Sequence, residues 1–450
     1  MKLLKNKNAI FCLATINLAC ASGYANSETR DYPVEKTTTT AVNKYKIVDT
    51  GQKNFFDNST TMSKPTLGQP FFGQDANHIG YQPSYTDNGD GTISDNVTGL
   101  IWEKNYEVMT YNEAVKKVKT FKLANHTDWR LPTIKEAYSL ILFSGVDVSS
   151  RNMTTVPEGG VPFIDSDYFD FKYGANGRRI IDSQILSSTV YRGKTMGRNE
   201  TVFGVNMADG RIKGYPIVNP RQRTSGKEFT VRLVRGNTEY GKNNFKDNND
   251  GTVSDLATNL VWQKSDSKKP MNWQDTLKWA QQKNKEKYLG FSDWRLPNAK
   301  ELHSILDYSR SPQATNSAAI NPVFEISKIK DEGRNTNYPL YWSSTTHKNL
   351  RGGGAAVYIC FGEALGFLRR RGGPGAGPER GAGSARRDGP PRGAGPATLV
   401  DAHGAGAQRA EWKVGDPADY PMGHGPQGDV VRIYHYARLV RNNTNTNARK

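Results

Sequence analysis

Two short acidic segments carry the side chains best suited to bind a metal ion. Each holds three aspartates: Asp87, Asp90 and Asp95 in one, and Asp247, Asp250 and Asp255 in the other. Carboxylate oxygens bind Ca²⁺, and the pattern resembles the beginning of an EF-hand loop. However, the acids are wrongly spaced and no glutamate stands at loop position 12. Aspartates in turns also accept backbone hydrogen bonds without a metal. Turns without a cofactor are therefore the favoured interpretation, and a Ca²⁺ site is the alternative.

The rest of the sequence offers little for catalysis. His403 and His424 lie near Asp401 and Asp429, yet no His-x-x-x-His or comparable metal-ligand spacing accompanies them. The sequence contains no Ser/His/Asp signature, no Gly-x-Ser-x-Gly and no phosphate-binding loop. We therefore predict a protein that is not an enzyme and that needs no cofactor.

Two Asp-Trp-Arg sequences, at 128–130 and 293–295, are candidates for a binding motif. Each stands directly before a Leu-Pro pair and a predicted helix start, which favours a buried tryptophan with a local ion pair. Trp129 and Trp294 are therefore predicted to occupy equivalent buried positions.

The first 25 residues have the pattern of a secretory signal. Lysines precede a short apolar stretch at 9–21, and the small residues Gly23 and Ala25 predict cleavage after Ala25. Lipidation of Cys20 is the less favoured alternative, because Asn17 stands where such signals usually carry an aliphatic residue. We expect the protein to be secreted, periplasmic or at the cell surface.

Composition limits the cross-links and partners of the mature chain. Cys360 alone remains after cleavage, which excludes an internal disulfide and a four-cysteine zinc site. The chain has 61 Lys and Arg against 44 Asp and Glu, and this net charge of +17 favours acidic partners. No later segment has about 18 consecutive apolar residues, so no membrane span is predicted. Residues 26–82 are predicted to be a polar spacer and residues 443–450 a polar tail.

An internal duplication dominates the remaining sequence. Five blocks recur in the same order: 87–95 as 247–255, 99–102 as 259–262, 128–132 as 293–297, 187–189 as 343–345, and 232–235 as 438–441. The offset grows from 160 (247 − 87) to 206 (438 − 232), so the second copy carries an insertion near its end. This long period indicates two tandem domains, at 83–238 and 243–442, and excludes a solenoid.

The insertion, residues 368–397, is rich in Gly, Pro, Ala and Arg and has no apolar periodicity. Its seven arginines and two acids give it a charge of +5. This composition favours a disordered loop. A sequence artefact from another reading frame would also explain why the segment has no Lys or Asn. Nucleic-acid binding is disfavoured, because an exported protein seldom needs it.

Each copy repeats one order of predicted elements. An Asp-Gly pair predicts a tight turn that enters a strand. A helix is predicted over 111–123, with Thr110 and Glu113 as its capping box, and its counterpart begins after Asn272. A second helix follows each Trp-Arg-Leu-Pro, capped by Thr133 or by Asn298. Short alternating strands come last, which indicates an α+β fold.

Together these blocks resemble the Lcl C-terminal domain family of bacterial proteins. The resemblance rests on Asp-Gly-Thr, Gly-Leu-Ile-Trp, Asp-Trp-Arg-Leu-Pro, Ser-Ser-Thr and the closing Arg-Leu-Val-Arg, and it covers about 85–236 and 245–442. It implies two tandem C-type-lectin-like domains, each with two helices and a small, irregular, mostly antiparallel sheet. For a collagen-like adhesin of the family it implies attachment to sulfated glycosaminoglycans, although no motif carries that activity residue by residue.

The sequence thus predicts an exported, non-enzymatic binding protein, adhesin- or lectin-like, that engages an extracellular polymer. An anionic glycan is the favoured ligand, and two linked copies would raise avidity. One alternative is a structural or assembly protein of the cell envelope that binds another protein. A second alternative is an undetected enzyme that acts on envelope polymers.

Overall fold

A computed structural model of the chain describes residues 45–150, 154–174, 177–218, 226–369 and 396–443. All of these residues belong to one unit, residues 33–450. The predicted signal peptide, most of the predicted tail and residues 370–395 of the predicted insertion lie outside the described residues.

The first copy is preceded by two short strands and contains nine strands and two helices in its described part. The preceding strands are β1 (Phe55–Phe56) and β2 (Thr61–Met62). The elements of the copy are β3 (Tyr85–Asp87), β4 (Thr92–Asp95), β5 (Leu100–Glu103), β6 (Glu107–Thr110), α1 (Tyr111–Val118), α2 (Ile134–Ser139), β7 (Gln184–Val190), β8 (Thr201–Asn206), β9 (Arg211–Pro216), β10 (Glu228–Val231) and β11 (Val234–Gly236).

The second copy repeats this order and adds several elements. They are β12 (Phe245–Asp247), β13 (Thr252–Asp255), β14 (Leu260–Gln263), α3 (Trp273–Lys285), α4 (Ala299–Ser304), α5 (Pro312–Thr315), β15 (Ile329–Lys330), β16 (Thr336–Asn337), β17 (Leu340–Asn349), β18 (Gly352–Cys360), β19 (Leu365–Arg369), β20 (Ala397–Asp401), β21 (Gln408–Trp412) and β22 (Val440–Asn442). The chain is therefore an α+β protein, as predicted.

Each copy begins with a small antiparallel sheet that its own last strand completes. The strand orders are β11-β5-β4-β3 in the first copy and β12-β13-β14-β22 in the second. The predicted Asp-Gly turns are confirmed: Gly91 and Gly251 have φ of 87° and 86°, which glycine adopts without strain, and β4 and β13 follow directly. Because the last strand returns to the first hairpin, each copy is closed by pairing between its two ends.

The predicted helix starts are confirmed. Thr110, Thr133 and Asn298 each accept a hydrogen bond from the backbone N–H of a glutamate three residues later. Helix α1 ends at Val118, earlier than the predicted residue 123. Trp129 and Trp294 are 3% and 2% exposed, directly before α2 and α4, as predicted.

The late strands of the two copies join in one eight-stranded sheet, with the order β17-β18-β21-β9-β8-β7-β10-β6. The join lies between β21 and β9, where Gln408 pairs with Ile212. The side-chain oxygen of Gln408 also accepts a hydrogen bond from the backbone N–H of Ile212, at 3.2 Å. The prediction of one small sheet in each domain is therefore incomplete, because the extra strand β21 lies between the two sets of strands.

The prediction that residues 26–82 form a polar spacer is wrong for 45–82, which we call the strap. Val48 and Gln74 of the strap are fully buried, and Phe56 and Asp75 are 2% exposed. Its polar side chains can be buried because they form the hydrogen bonds that the backbone of a neighbouring strand would otherwise supply. Gln52 Nε2 donates to the carbonyl of Thr346 at 2.7 Å, and Gln52 Oε1 accepts from the N–H of Thr346 at 2.9 Å.

The strap also contacts the first copy, where Phe143 N–H donates to the carbonyl of Thr50 at 2.7 Å. It is thus a third component of the core, in contact with both copies. Among the residues that the structure describes, no helix is long and apolar enough to cross a membrane.

The ends of the predicted insertion are regular. Strands β19 and β20 form an antiparallel hairpin that includes Leu368, Arg369 and Ala397. The predicted insertion, 368–397, is therefore too long at both ends. Backbone pairing extends the hairpin into the segment that composition assigns to a loop.

Candidate functional site

The Asp-Trp-Arg blocks hold the second helix of each copy to the chain before it. Arg130 contacts both carboxylate oxygens of Glu136 at 2.6 Å, and Arg295 contacts those of Glu301 at 2.5 and 2.6 Å. Each glutamate also completes the capping box of its helix. The predicted local ion pair is confirmed, and it fixes the helix start to the buried tryptophan.

The aspartate of each block reaches the closing Arg-Leu-Val-Arg. Asp128 contacts Arg235 at 2.8 Å, and Asp293 contacts Arg441 at 2.7 Å. The Asp-Trp-Arg block therefore links α2 or α4 to the last strand of its own copy.

The first arginine of each closing block is buried and donates to backbone carbonyls. Arg232 reaches the carbonyls of residues 103, 104 and 170, and Arg438 those of residues 263, 264, 265 and 325. The guanidinium groups lie 5.1 and 4.9 Å from the ring centres of Phe169 and Phe324. Burial lowers the pKa of Arg232 to about 10, so it stays charged at neutral pH. These arginines donate hydrogen bonds to backbone carbonyls that would otherwise be buried without partners.

The Ser-Ser-Thr blocks join the large sheet to the same helices. Thr189 accepts a hydrogen bond from the backbone N–H of Ile134 at 3.0 Å, and Thr345 accepts one from Ala299 at 2.9 Å. The blocks that reveal the duplication therefore make internal contacts that hold each copy together.

Four of the six aspartates considered for Ca²⁺ lie at the β3–β4 and β12–β13 turns, namely Asp87, Asp90, Asp247 and Asp250, whereas Asp95 and Asp255 end β4 and β13. Asp90 accepts from the N–H and the hydroxyl of Thr92, at 3.1 and 2.6 Å. Asp250 accepts the same two bonds from Thr252, at 2.9 and 2.6 Å. These carboxylates stabilise the tight turn that enters each strand.

The other aspartates of the two turns also have protein partners. Asp87 contacts Lys104 and Asp247 contacts Lys264, each at 2.6 Å, and these hydrogen bonds lower the pKa of both carboxyls. The third aspartate of each segment accepts bonds from the backbone of the next turn. Within the described ranges, no group of three or more His, Cys, Asp or Glu side chains is arranged to hold a metal ion.

The histidines near the insertion are only partly brought together. His403 Nε2 lies 2.8 Å from Asp429, which Arg409 also contacts. Burial alone would raise the pKa of Asp429, but Arg409 and His403 hold it well below its usual range. His424 packs against the Trp412 ring instead, with 4.7 Å between ring centres. The arrangement is a buried ion-pair cluster beside the join between the copies.

A small cavity lies where α2 and α4 meet, and equivalent residues of the two copies line it. Lys135 donates to the carbonyl of Gly241 at 2.9 Å, and Lys300 to that of Asp49 at 3.0 Å. Burial lowers the pKa of Lys300 to about 7. The cavity has room for about one water molecule, so a sugar ring does not fit. Lys135 thus binds the backbone between the two copies, and Lys300 binds the backbone of the strap.

Exposed lysines form the feature that the sequence reasoning missed. The first lysine segment contains Lys116, Lys119 and Lys122, on and after α1. The second contains Lys278, Lys285 and Lys287, on and after α3. All six are exposed, and none contacts a carboxylate within ion-pair distance in the described part of the chain. The sequence does contain a pattern that marks these patches: Lys-Lys-x-Lys-x-x-Lys from 116 and Lys-x-Lys-x-Lys from 283. The net charge of the whole chain does not indicate where on the fold the lysines cluster.

The fold presents the two lysine segments in the same way. Trp129 donates its indole N–H to the carbonyl of Leu123 at 3.2 Å, and Trp294 donates its own to the carbonyl of Tyr288 at 2.8 Å. Each buried tryptophan thereby fixes the chain just after its lysine segment. Each copy thus carries a patch of positive charge on and after its first helix, with Lys116 matching Lys278 and Lys122 matching Lys287.

The shared framework defines a class of protein: an α+β fold in which two copies of one set of motifs are fused. A family model, the Lcl C-terminal domain, matches residues 91–235 and 251–371, more than half of the chain. The chain therefore belongs to the Lcl C-terminal domain family, in two tandem copies, as the resemblance predicted. No curated protein and no solved structure matches it.

Proposed function

We propose that the protein is an exported, non-enzymatic binding protein that engages an anionic extracellular polymer, with an anionic glycan as its ligand. One observation carries the proposal: both copies expose three lysines on and after their first helix, and none of the six has an ion-pair partner among the residues that the structure describes. Exposed ammonium groups without internal counter-ions attract polyanions over several ångströms.

The remaining charge supports the same ligand. Removing the predicted signal (+3) and the insertion (+5) leaves 17 − 3 − 5 = +9, so the rest of the chain is still basic. Two patches on one unit would bind one polymer at two points, and the second contact would form at high effective concentration. We further propose a fold related to C-type lectins, which the paired helices and small antiparallel sheets of each copy support.

Retention on immobilised heparin tests the proposal. The wild type should elute only at raised salt, because salt screens exposed charges. A variant with all six segment lysines changed to glutamate should elute at much lower salt. A control variant changes six other exposed lysines to glutamate: Lys53, Lys64, Lys172, Lys246, Lys269 and Lys328.

The control carries the same net charge as the segment variant, so it separates position from total charge. Equal losses in the two variants, elution that salt does not affect, or no retention of the wild type would contradict the proposal. A stoichiometric protein partner together with no polyanion binding would favour the envelope-assembly alternative.

A further inference from the structure

Three buried side chains meet where the first copy joins the second. Lys135 of α2 donates from Nζ to the side-chain oxygen of Asn243 at 2.9 Å, and Asn243 Nδ2 donates to Asp255 at 2.8 Å. The three residues are 8%, 7% and 1% exposed. An amine, a carboxamide and a carboxyl group therefore form one chain of contacts that is shielded from bulk water.

The surrounding chain fixes this arrangement. Asp255 also accepts a hydrogen bond from the backbone N–H of Asn244 at 3.0 Å, which keeps the carboxyl beside the carboxamide. Lys135 also donates to the carbonyl of Gly241 at 2.9 Å. Residue 241 packs against the lysine stem so closely that a side-chain carbon there would lie 2.9 Å from Cβ of Lys135. The three side chains are therefore held in fixed positions.

The equivalent lysine of the second copy meets backbone carbonyls instead of a carboxamide. Lys300 (135 + 165) is 4% exposed and donates to the carbonyls of Asp49 and Ser139, at 3.0 and 2.8 Å. The position of Asn243 is occupied in the first copy by Pro83 (243 − 160). Backbone carbonyls are thus enough to bury a lysine at this place in the fold, and the carboxamide of residue 243 is an addition with its own chemistry.

We propose that Lys135 and Asn243 form an intramolecular isopeptide bond, with Asp255 assisting the reaction. Nζ in its neutral form donates its electron pair to Cγ of Asn243, and the Cγ–Nδ2 bond breaks with its electron pair on the nitrogen. Nζ loses one proton and Nδ2 gains one, so ammonia leaves and a secondary amide replaces the carboxamide. Asp255, hydrogen-bonded to Nδ2, carries the proton to it. The step needs no oxidant and no further reactant.

Proximity and burial favour this step. Because a C=O bond is about 1.2 Å long, the 2.9 Å contact with Oδ1 places Nζ within about 4.1 Å of Cγ of Asn243. Reacting groups that are held close in a fixed geometry gain the advantage of an intramolecular reaction. Burial disfavours an ammonium charge, and the neutral amine is the nucleophile. The adjoining cavity has room for about one water molecule, and therefore for the ammonia that leaves.

The bond would join the two copies covalently. It would connect α2 of the first copy to the residue that stands two positions before β12 of the second. A covalent link at this place keeps the copies together when a bound polymer pulls on both. The inference goes beyond the proposed function and does not depend on which polymer is bound.

The mass of the purified full chain, measured after denaturation, tests the bond. We expect a mass lower than that of the sequence by one ammonia molecule, and digestion should release a branched peptide that contains both Lys135 and Asn243. Lys135→Arg keeps hydrogen-bond donors but has no amine, and Asn243→Ala has no carboxamide, so both variants should have the full mass. Lys300→Arg is the matched control and should keep the loss. Circular dichroism shows which variants are folded.

A folded wild type with the full mass overturns the inference. A loss of ammonia that persists in Lys135→Arg also overturns it, because the ammonia then comes from another reaction, such as succinimide formation at an asparagine. The mass and the branched peptide of the wild type decide the matter even where a variant does not fold. Asp255→Asn should leave most of the chain at the full mass, and complete reaction in that variant would contradict the role of Asp255. Heparin retention does not bear on these outcomes, so the bond and the proposed function can fail separately.

Discussion

The two copies share their internal ion pairs and hydrogen bonds and differ in the elements that are added around them. In both, an arginine pairs with the capping glutamate, and a second arginine donates to buried carbonyls. Only the second copy supplies β21, and its Thr345 hydroxyl donates a hydrogen bond to Asp75 of the strap at 2.5 Å. The motifs of the family therefore build the scaffold, whereas the elements added to it differ between the two copies.

The largest effect should come from the buried arginines. Arg438→Met leaves four carbonyls without their donor and Arg232→Met leaves three, so we expect each to lower the free energy of unfolding by about 3 kcal/mol or more. Urea unfolding measures the loss, and exposed Arg198→Met, with an expected change below about 0.5 kcal/mol, is the control. Changes that small at Arg438 would show that this guanidinium does not fasten the second copy.

The strap gives the second copy a pH dependence through Asp75. Burial raises the pKa of Asp75 to about 7, although hydrogen bonds from Thr345 and Thr50 oppose the rise. The unfolded chain has a value near 3.9, so the folded state binds this proton more tightly. Stability should therefore increase as pH falls from about 7 to about 4, by up to about 1.4 kcal/mol per pH unit from this group.

Asp75→Asn should reduce that slope and stabilise the protein at pH 8, where the buried carboxylate is ionised. Burial raises the pKa of Asp401 to about 7 as well, so part of the slope should persist. Urea unfolding between pH 4 and pH 8 is the measurement, with exposed Asp419→Asn as the control. An unchanged slope in Asp75→Asn would mean that this carboxyl stays ionised in the folded state.

Gln52→Ala should loosen one copy and leave the other unchanged. The substitution removes both hydrogen bonds to the backbone of Thr346, and we expect a loss of about 2 kcal/mol. Hydrogen exchange should rise along β17, while its counterpart β7 keeps its protection. Exposed Gln82→Ala is the matched control, and equal exchange in β17 and β7 would contradict the role of the strap.

The smallest effects should be matched between the copies. Thr133→Ala and Asn298→Ala each remove the acceptor at the start of an equivalent helix, and each should cost about 1 kcal/mol. Thermal unfolding measures both. A difference well above 1 kcal/mol between the two variants would show that the copies do not use their second helices in the same way.

Local patterns predicted local structure correctly. The Asp-Gly turns, the caps at Thr133 and Asn298, and the burial of Trp129 and Trp294 all depend on neighbours within a few residues. Repetition of these patterns in one order was enough to identify two copies and their family.

Long-range pairing was not predictable in the same way. The strap has a polar composition, and its partners lie as far away as Thr346, 294 residues from Gln52. No periodicity marks a glutamine that replaces a backbone partner at a sheet edge. The join between β21 and β9 likewise depends on one register pair, Gln408 with Ile212, and composition contains no trace of it.

We propose that the two lysine segments act together on one anionic polymer. The most direct test compares the affinity of the full chain for long heparin chains with its affinity for a heparin tetrasaccharide. We expect the wild type to bind the long chain about a hundredfold more tightly, because the second contact forms within one complex. Charge reversal of either segment alone should remove most of that advantage. The same ratio of affinities in the wild type and in both single-segment variants would contradict the account.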